Sequence, residues 1–218
     1  MAIPSQLQNL IIRGLESVYR HPQHDLNLGY RHAIWAAFGD NGYLRRTALA
    51  LSTVRHVLPI WNQKFSNDDR PQQVITLAEK VICGDVSKAF AEKESQHLWQ
   101  EMQQLGYNDS GMAFTVGCAA VASLDTAIFG ENFDPDEIDF NVTDNRDTEG
   151  NDAAFFAACA YANGAVWETI SGKSDSAKRL EFWSWWLNVA VPTAWEAIEE
   201  DKKSVASPIP SQHQVNLG

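Results

Sequence analysis

Residues 44–61 have the sequence LRRTALALSTVRHVLPIW, in which apolar residues recur every three or four positions. This spacing places them on one face of an α-helix. The apolar face carries Leu44, Ala48, Leu51, Val54, Leu58 and Trp61. Arg45, Ser52 and His56 fall on the opposite, polar face. Pro59 has no amide hydrogen to donate, so the segment predicts a long amphipathic helix that kinks or restarts there.

Comparable helical spacing recurs from Gln6 to about Glu200. Two Ala-rich helices are predicted over residues 113–129 and 153–170, and no strand-like alternation persists for more than a few residues. The sequence therefore predicts an all-α protein, a helical bundle of about seven packed helices. We expect a single domain over residues 1–203 and a flexible tail over residues 204–218, which contain little to bury.

Composition excludes a mainly disordered chain and argues against nucleic-acid binding. The 218 residues are 44% hydrophobic and include 8 Trp, 10 Phe and 5 Tyr, enough to fill a sizeable core. With 17 Lys and Arg against 28 Asp and Glu, the formal net charge is −11. Such a chain is repelled by phosphate backbones and attracted to basic proteins.

The cellular compartment of the protein is predicted from three features: the N-terminal sequence, the cysteines and the most apolar stretch of the chain. No basic region followed by an apolar run opens the sequence, and three widely spaced cysteines suit reduced, mostly buried thiols. Residues 112–129 approach the length of a membrane span but are rich in small residues and contain Asp125. We expect a buried helix there, no membrane contact, and a cytoplasmic protein.

Charge is concentrated in residues 131–152, where nine acids face a single base, Arg146, for a local net charge of −8. The nine acids are Glu131, Asp134, Asp136, Glu137, Asp139, Asp144, Asp147, Glu149 and Asp152. A stretch of this kind is compatible with a solvated loop that maintains solubility, with a docking surface for a basic protein partner, or with a calcium site.

The residues between the acids bear on these three interpretations. If Gly150 were the turn glycine of an EF-hand, the twelfth position would be Phe156 where the loop needs a glutamate, so the calcium spacing fails. Phe133, Ile138 and Phe140 interrupt the acids and indicate that the segment packs against the helices. We predict that the nine acids form the partner-binding element, with the solvated loop as the open alternative.

Candidate catalytic or metal-binding residues are sparse. Glu94 and His97 form one E-x-x-H pair, whereas helical di-iron proteins use two such pairs and two more glutamates. No phosphate-binding glycine loop, dinucleotide fingerprint, nucleophile elbow or H-E-x-x-H motif is present. We expect a protein that is not an enzyme and has no metal and no cofactor, with a helical metal-carboxylate enzyme as an alternative.

A loop precedes the helix that begins near Pro71. Pro71 has the backbone angle of a first helical turn, and Asp68 and Asp69 precede it, near the positive end of the helix. Arg70 is expected to pair with a carboxylate or with carbonyls and so fix the start of the helix. Asp68, Asp69, Arg70 and Pro71 are therefore predicted to be a structural motif.

The order of four segments resembles a known family. An arginine-led, Leu- and Ala-rich helix at 44–50 is followed by His-Val-Leu-Pro-Ile-Trp at 56–61. The sequence Asp-Asp-Arg-Pro opens the third segment, residues 68–75. The fourth segment, residues 81–85, is the end of a predicted helix and finishes with a glycine and an acidic residue. This order is similar to the type-five predicted immunity family of bacterial polymorphic toxin systems. Residues 178–183 approximate the late segment of that family.

The resemblance implies an all-α, non-enzymatic immunity protein that binds and neutralises a cognate toxin domain. Nuclease toxins are commonly basic, so the acidic balance of this chain suits such a partner. The long acidic connection and Trp61 differ from the family pattern. A helical scaffold or adaptor with another protein partner is the other interpretation that the sequence leaves open.

Overall fold

Helices make up most of the chain in the computed structural model, which describes residues 2–40, 42–106, 110–130, 133–147, 152–171 and 173–197. No strand occurs in these ranges, which confirms the all-α prediction. Eight α-helices are present in them: α1 (Ser5–Arg20), α2 (Leu28–Ala37), α3 (Gly42–Lys64), α4 (Arg70–Cys83), α5 (Lys88–Leu105), α6 (Met112–Phe129), α7 (Ala153–Tyr161) and α8 (Ser176–Trp185).

The centre of the fold is α6, which packs against α3, α4, α5 and α7. Small residues allow this close approach: a Cβ at Gly117 would overlap Met102 of α5 and lie 3.3 Å from Trp61 of α3. By length and composition alone α6 is apolar enough to cross a membrane, but most of it is buried among the other helices. Its place in the fold is that of a core helix, as the sequence predicted.

Helix α3 differs from the predicted pattern in the position of Arg45 and in its continuity at Pro59. It runs without interruption through Pro59, and Arg45, expected on the polar face, is only 3% exposed. The guanidinium carbon of Arg45 lies 3.6 Å from the ring centre of Trp195. Its Nη1 donates to the carbonyl of Phe38 at 2.6 Å, so the residue at the end of α2 accepts a hydrogen bond from the buried guanidinium. Periodicity alone does not detect an arginine that is stacked and hydrogen-bonded inside a core.

The second Ala-rich helix is shorter than predicted. Instead of continuing to residue 170, α7 ends at Tyr161, where Asn163 adopts a positive φ of 59° and Gly164 one of 144°. A 3₁₀-helix, Val166–Ser171, follows. The turn is fixed by buried Arg179 of α8, which donates to the carbonyl of Gly164 at 2.5 Å. A contact across fifteen residues thus ends a helix that local propensity would extend.

The last helix also changes geometry along its length. After α8, residues Trp186–Ala190 form a π-helical turn, and residues 191–197 are α-helical again. Pro192 follows that turn and cannot donate a backbone hydrogen bond, which accounts for the local widening. Residues 198–200 and the predicted tail 204–218 lie outside the described residues.

The loop between α3 and α4 is held by Arg70 and Asp68. Nε of Arg70 lies 3.0 Å from both carboxylate oxygens of Asp68, and Nη2 lies 2.5 Å from Oδ2. Trp61 of α3 donates from Nε1 to the carbonyl of Asp68 at 2.7 Å, and Nη1 of Arg70 lies 3.7 Å from Glu101 of α5. These contacts join three helices, which fits the structural role predicted for the motif.

Asp69 and Pro71 complete this motif. Pro71 lies in the first turn of α4, and Asp69 is the residue that precedes the helix. The side chain of Asp69 accepts no hydrogen bond from a backbone amide at the start of α4. It accepts a hydrogen bond from the side chain of Gln73 at 2.7 Å instead.

Candidate partner-binding surface

Residues 133–147 of the acidic segment lie across the beginning of α2. The amide of Gly29 donates to the carbonyl of Val142 at 3.3 Å, and the side-chain amide of Asn27 donates to the carbonyl of Phe140 at 3.1 Å. A Cβ at Gly29 would overlap the carbonyl oxygen of Asp139 and lie 2.7 Å from Cα of Phe140. Only glycine therefore permits this close backbone approach.

Two aromatic rings anchor the segment to the helices. The ring centre of Phe133 lies 5.0 Å from those of His32 and Trp35 on α2. The ring of Phe140 lies 5.0 Å from Tyr30, and the guanidinium carbon of Arg13 lies 4.7 Å from its centre. The segment is therefore held against α1 and α2.

A buried arginine ties the segment to the start of α7. The side chain of Arg31 has no exposed surface, and its Nη1 donates to Asp144 at 3.2 Å and to the carbonyl of Leu26 at 3.0 Å. Its Nη2 pairs with the other Asp144 oxygen, and its Nε donates to Asp152 at 2.7 Å. The second oxygen of Asp152 accepts the amide of Ala154 at 2.6 Å and so caps α7. One cation thus fixes two acids of the segment.

The two carboxylates keep Arg31 charged. Burial alone would lower the pKa of Arg31, but Asp144 and Asp152 outweigh it and hold that pKa above its ordinary value. Arg31 therefore remains a guanidinium in the interior. Losing either carboxylate would leave a buried charge partly uncompensated, which is costly.

Asp144 and Asp152, both predicted as partner-binding residues, lie inside the fold and pair with Arg31. The side chain of Asp144 is 2% exposed and that of Asp152 is 16% exposed, both directed at Arg31. Neither can form a broad contact with a partner while this pair is intact. Asp147 is half-buried, and Glu131 and Glu149 lie outside the described residues.

Four of the predicted acids are exposed and close together in the sequence; we refer to Asp134, Asp136, Glu137 and Asp139 as the acidic row. Asp136 and Glu137 lie in a short 3₁₀-helix, Pro135–Glu137, and Asp134 and Asp139 lie on either side of it. One oxygen of Asp134 accepts the amide of Asp136 at 2.9 Å, and one of Asp139 accepts the amide of Asn141 at 2.9 Å. Within the described ranges, no Lys, Arg or His nitrogen lies within 4.0 Å of these four carboxylates.

Sequence reasoning missed the residues that fix this row, chiefly Gly29 and Arg31. A glycine and an arginine near the start of an otherwise apolar helix were available as a signal. Neither indicates its partner, because the acids that they contact lie more than one hundred residues later.

The E-x-x-H pair has an ordinary surface environment. Nε2 of His97 lies 3.9 Å from the carboxylate of Glu101, one helical turn away, and the side chain of His97 is largely exposed. The part of the chain that the structure describes contains no group of three or more His, Cys, Asp or Glu side chains that could hold a metal ion.

Comparison with known proteins agrees with the resemblance seen in the sequence. The profile of the family described as Immunity protein Imm5 matches residues 11–193, a range that contains all eight helices except the first turns of α1. The curated proteins include no match to the chain. Because the family match spans well over half of the 218 residues, this chain belongs to the Imm5 family of immunity proteins.

Proposed function

We propose that this immunity protein acts in the bacterial cytoplasm by binding a cognate toxin domain, without catalysis, and that the acidic row contacts a basic surface of that toxin. Family membership supports the immunity role. The observation that carries the choice of surface is the acidic row itself, four exposed carboxylates without a cation partner among the described residues.

Fixed geometry favours binding over mere solubility as the role of the row. A charged loop that only maintains solubility needs no defined conformation. Here the backbone of the acidic segment is held on both sides of the row by contacts of Gly29, Arg31, Phe133 and Phe140. A partner that meets a pre-formed array does not have to order it, so less binding energy is lost on association.

Electrostatics gives the row a kinetic advantage with a basic toxin. Like charges concentrated on one surface create a local potential that steers an oppositely charged partner toward it. The effect is screened over about 8 Å at physiological ionic strength, so it acts mainly through residues near the contact. The overall charge of −11 adds to the same attraction.

Co-expression with a cognate toxin domain tests the proposal. We expect cells that carry both genes to grow, cells that carry the toxin alone to stop growing, and the two purified proteins to elute as one complex. Complex formation without protection would instead support an adaptor role. Protection without a complex would contradict neutralisation by binding.

A further inference from the structure

A cavity of about 490 Å³ opens between α5, α6 and α7. Two carboxylates, Glu92 and Asp125, line it together with three aromatic rings, Trp99, Phe129 and Phe156. None of the residues that line it in the described ranges is a lysine or an arginine. Phe129 is 58% exposed although it is a large apolar side chain, so part of the aromatic wall is accessible to solvent.

Asp125 is the polar centre of this cavity. It lies on the core helix α6, and one carboxylate oxygen accepts a hydrogen bond from Ser95 of α5 at 2.6 Å. No cationic nitrogen of the described residues lies within 4.0 Å of it. Burial raises the pKa of Asp125 in spite of the Ser95 hydrogen bond, and the charge of Glu92 raises it further. A carboxylate in such surroundings gains from any cation that reaches it.

We infer that this cavity receives an arginine side chain of the toxin domain. The inference rests on the proposed function and deepens it. Asp125 and Glu92 supply the charge for a guanidinium, and the rings of Trp99, Phe129 and Phe156 supply faces on which it stacks. Arginine suits the cavity better than lysine because its planar guanidinium is more weakly hydrated and stacks on aromatic rings.

The cavity adjoins a second one that reaches the acidic segment. This second cavity, of about 320 Å³, shares Ala122, Asp125 and Phe129 with the first and extends to Phe133, at the start of the described acidic segment. Arg46 and His32 also line the second cavity, whereas the first has no basic lining residue in the described ranges. One partner that covers the acidic row could therefore also place a side chain against Asp125. The row would attract the toxin, and the cavity would hold one of its residues.

A titration of the isotopically labelled full chain tests this without the toxin. The probe is N-acetyl-arginine methylamide, and N-acetyl-citrulline methylamide is its neutral control of nearly equal shape. We expect saturable NMR shifts at the amides of Ser95, Asp125 and Phe129 with the arginine probe. Affinity for the citrulline probe should be lower by about tenfold or more, the loss that follows from removing a charge-assisted hydrogen bond.

Two variants complete the experiment. Asp125→Asn keeps the size of the side chain and the hydrogen bond to Ser95, and it should lower the affinity for the arginine probe by about tenfold or more. Asp85→Asn, at an exposed position just after α4, removes the same charge away from both the cavity and the acidic row and should leave that affinity unchanged. Equal shifts with both probes, or arginine binding that survives Asp125→Asn, would overturn the inference. Because the toxin is absent, either result is independent of the protection experiment.

Discussion

Arg31, whose side chain is entirely enclosed, pairs with Asp144, a residue 113 positions later in the chain. The pair joins the start of α2 to the acidic segment, and Asp152 extends the same cluster to the start of α7. The conformation of an exposed, charged surface therefore depends on an ion pair in the interior. Substitutions in the buried ion pair and on the exposed acidic row therefore affect different properties, stability in the first case and partner binding in the second.

Removing the buried partner should destabilise the whole protein. Asp144→Asn leaves Arg31 with one carboxylate, and breaking a buried pair in this way typically costs about 3–5 kcal/mol of unfolding free energy. Asp139→Asn, an exposed acid of the same segment, should change it by no more than about 0.5 kcal/mol. Urea denaturation of the two variants measures the difference, and equal stability would contradict the structural role of Asp144.

Gly29→Ala should disturb the acidic segment without changing any charge. The added methyl group overlaps the backbone of Asp139 and Phe140, so we expect a loss of about 1–3 kcal/mol in unfolding free energy. Gly14→Ala is the matched control, because its Cβ would meet only the ends of two flexible side chains, Leu187 at 3.2 Å and Leu26 at 3.6 Å. Denaturant unfolding should show that Gly29→Ala is clearly less stable than Gly14→Ala. If Gly14→Ala were the less stable of the two, the close contact between Gly29 and the backbone of Asp139 would be contradicted.

Arg70→Gln should reduce stability in a pH-dependent way. The hydrogen bonds from Arg70 lower the pKa of Asp68, so the pair stabilises the folded state above the unfolded pKa of about 4 and is lost as pH falls through the lower folded value. The side chain of Arg70 is 27% exposed, so we expect a cost of only about 1–2 kcal/mol near neutral pH. Unfolding measured between about pH 3 and pH 7 should show the difference from wild type shrinking in acid.

That variant also separates structure from partner binding. Unchanged stability combined with weaker toxin binding would reassign Arg70 from a structural residue to a contact residue. Reduced stability with normal binding by the folded fraction supports the structural role.

The three cysteines should react unequally. Cys83 is exposed at the end of α4, which corrects the expectation of mostly buried thiols for that residue, whereas Cys118 and Cys159 are buried. Burial raises the pKa of both buried thiols to about 12, so they remain protonated and unreactive at neutral pH. A thiol-specific disulfide reagent should modify one cysteine per native chain and all three in denaturant. Rapid reaction of two or three thiols in the native protein would contradict the packing of α6 and α7.

Local sequence pattern accounts for most of the helices. Residues 44–61 and 113–129 are helical, as the spacing of apolar residues in the first and the many small residues in the second indicate. The pattern fails where a distant residue intervenes: Trp195 draws Arg45 into the core, and Arg179 stabilises the turn that ends α7. Contacts between residues so far apart cannot be recognised from the apolar spacing within a few helical turns.

The candidate surface could also be predicted only in part from the sequence. The concentration of acids and the aromatic residues among them are visible in the sequence, and Phe133 and Phe140 do pack against α2. The sequence does not distinguish acids that face solvent from acids that neutralise a buried cation. That distinction depends on Arg31, and the charge count of the segment alone cannot supply it.

The association rate with the cognate toxin domain, measured by stopped flow over a range of ionic strength, tests the role of the acidic row most directly. The test variant carries Asp134→Asn, Asp136→Asn, Glu137→Gln and Asp139→Asn. The control variant removes the same charge elsewhere, with Glu79→Gln, Asp85→Asn, Glu181→Gln and Glu196→Gln. Each variant has four fewer negative charges, so any difference between them reflects position.

We predict that neutralising the row slows association by about tenfold at low salt and flattens its dependence on ionic strength, while the control variant stays close to wild type. If the row variant keeps the rate and the salt dependence of wild type, the acidic row does not face the toxin and the contact surface lies elsewhere on the helices.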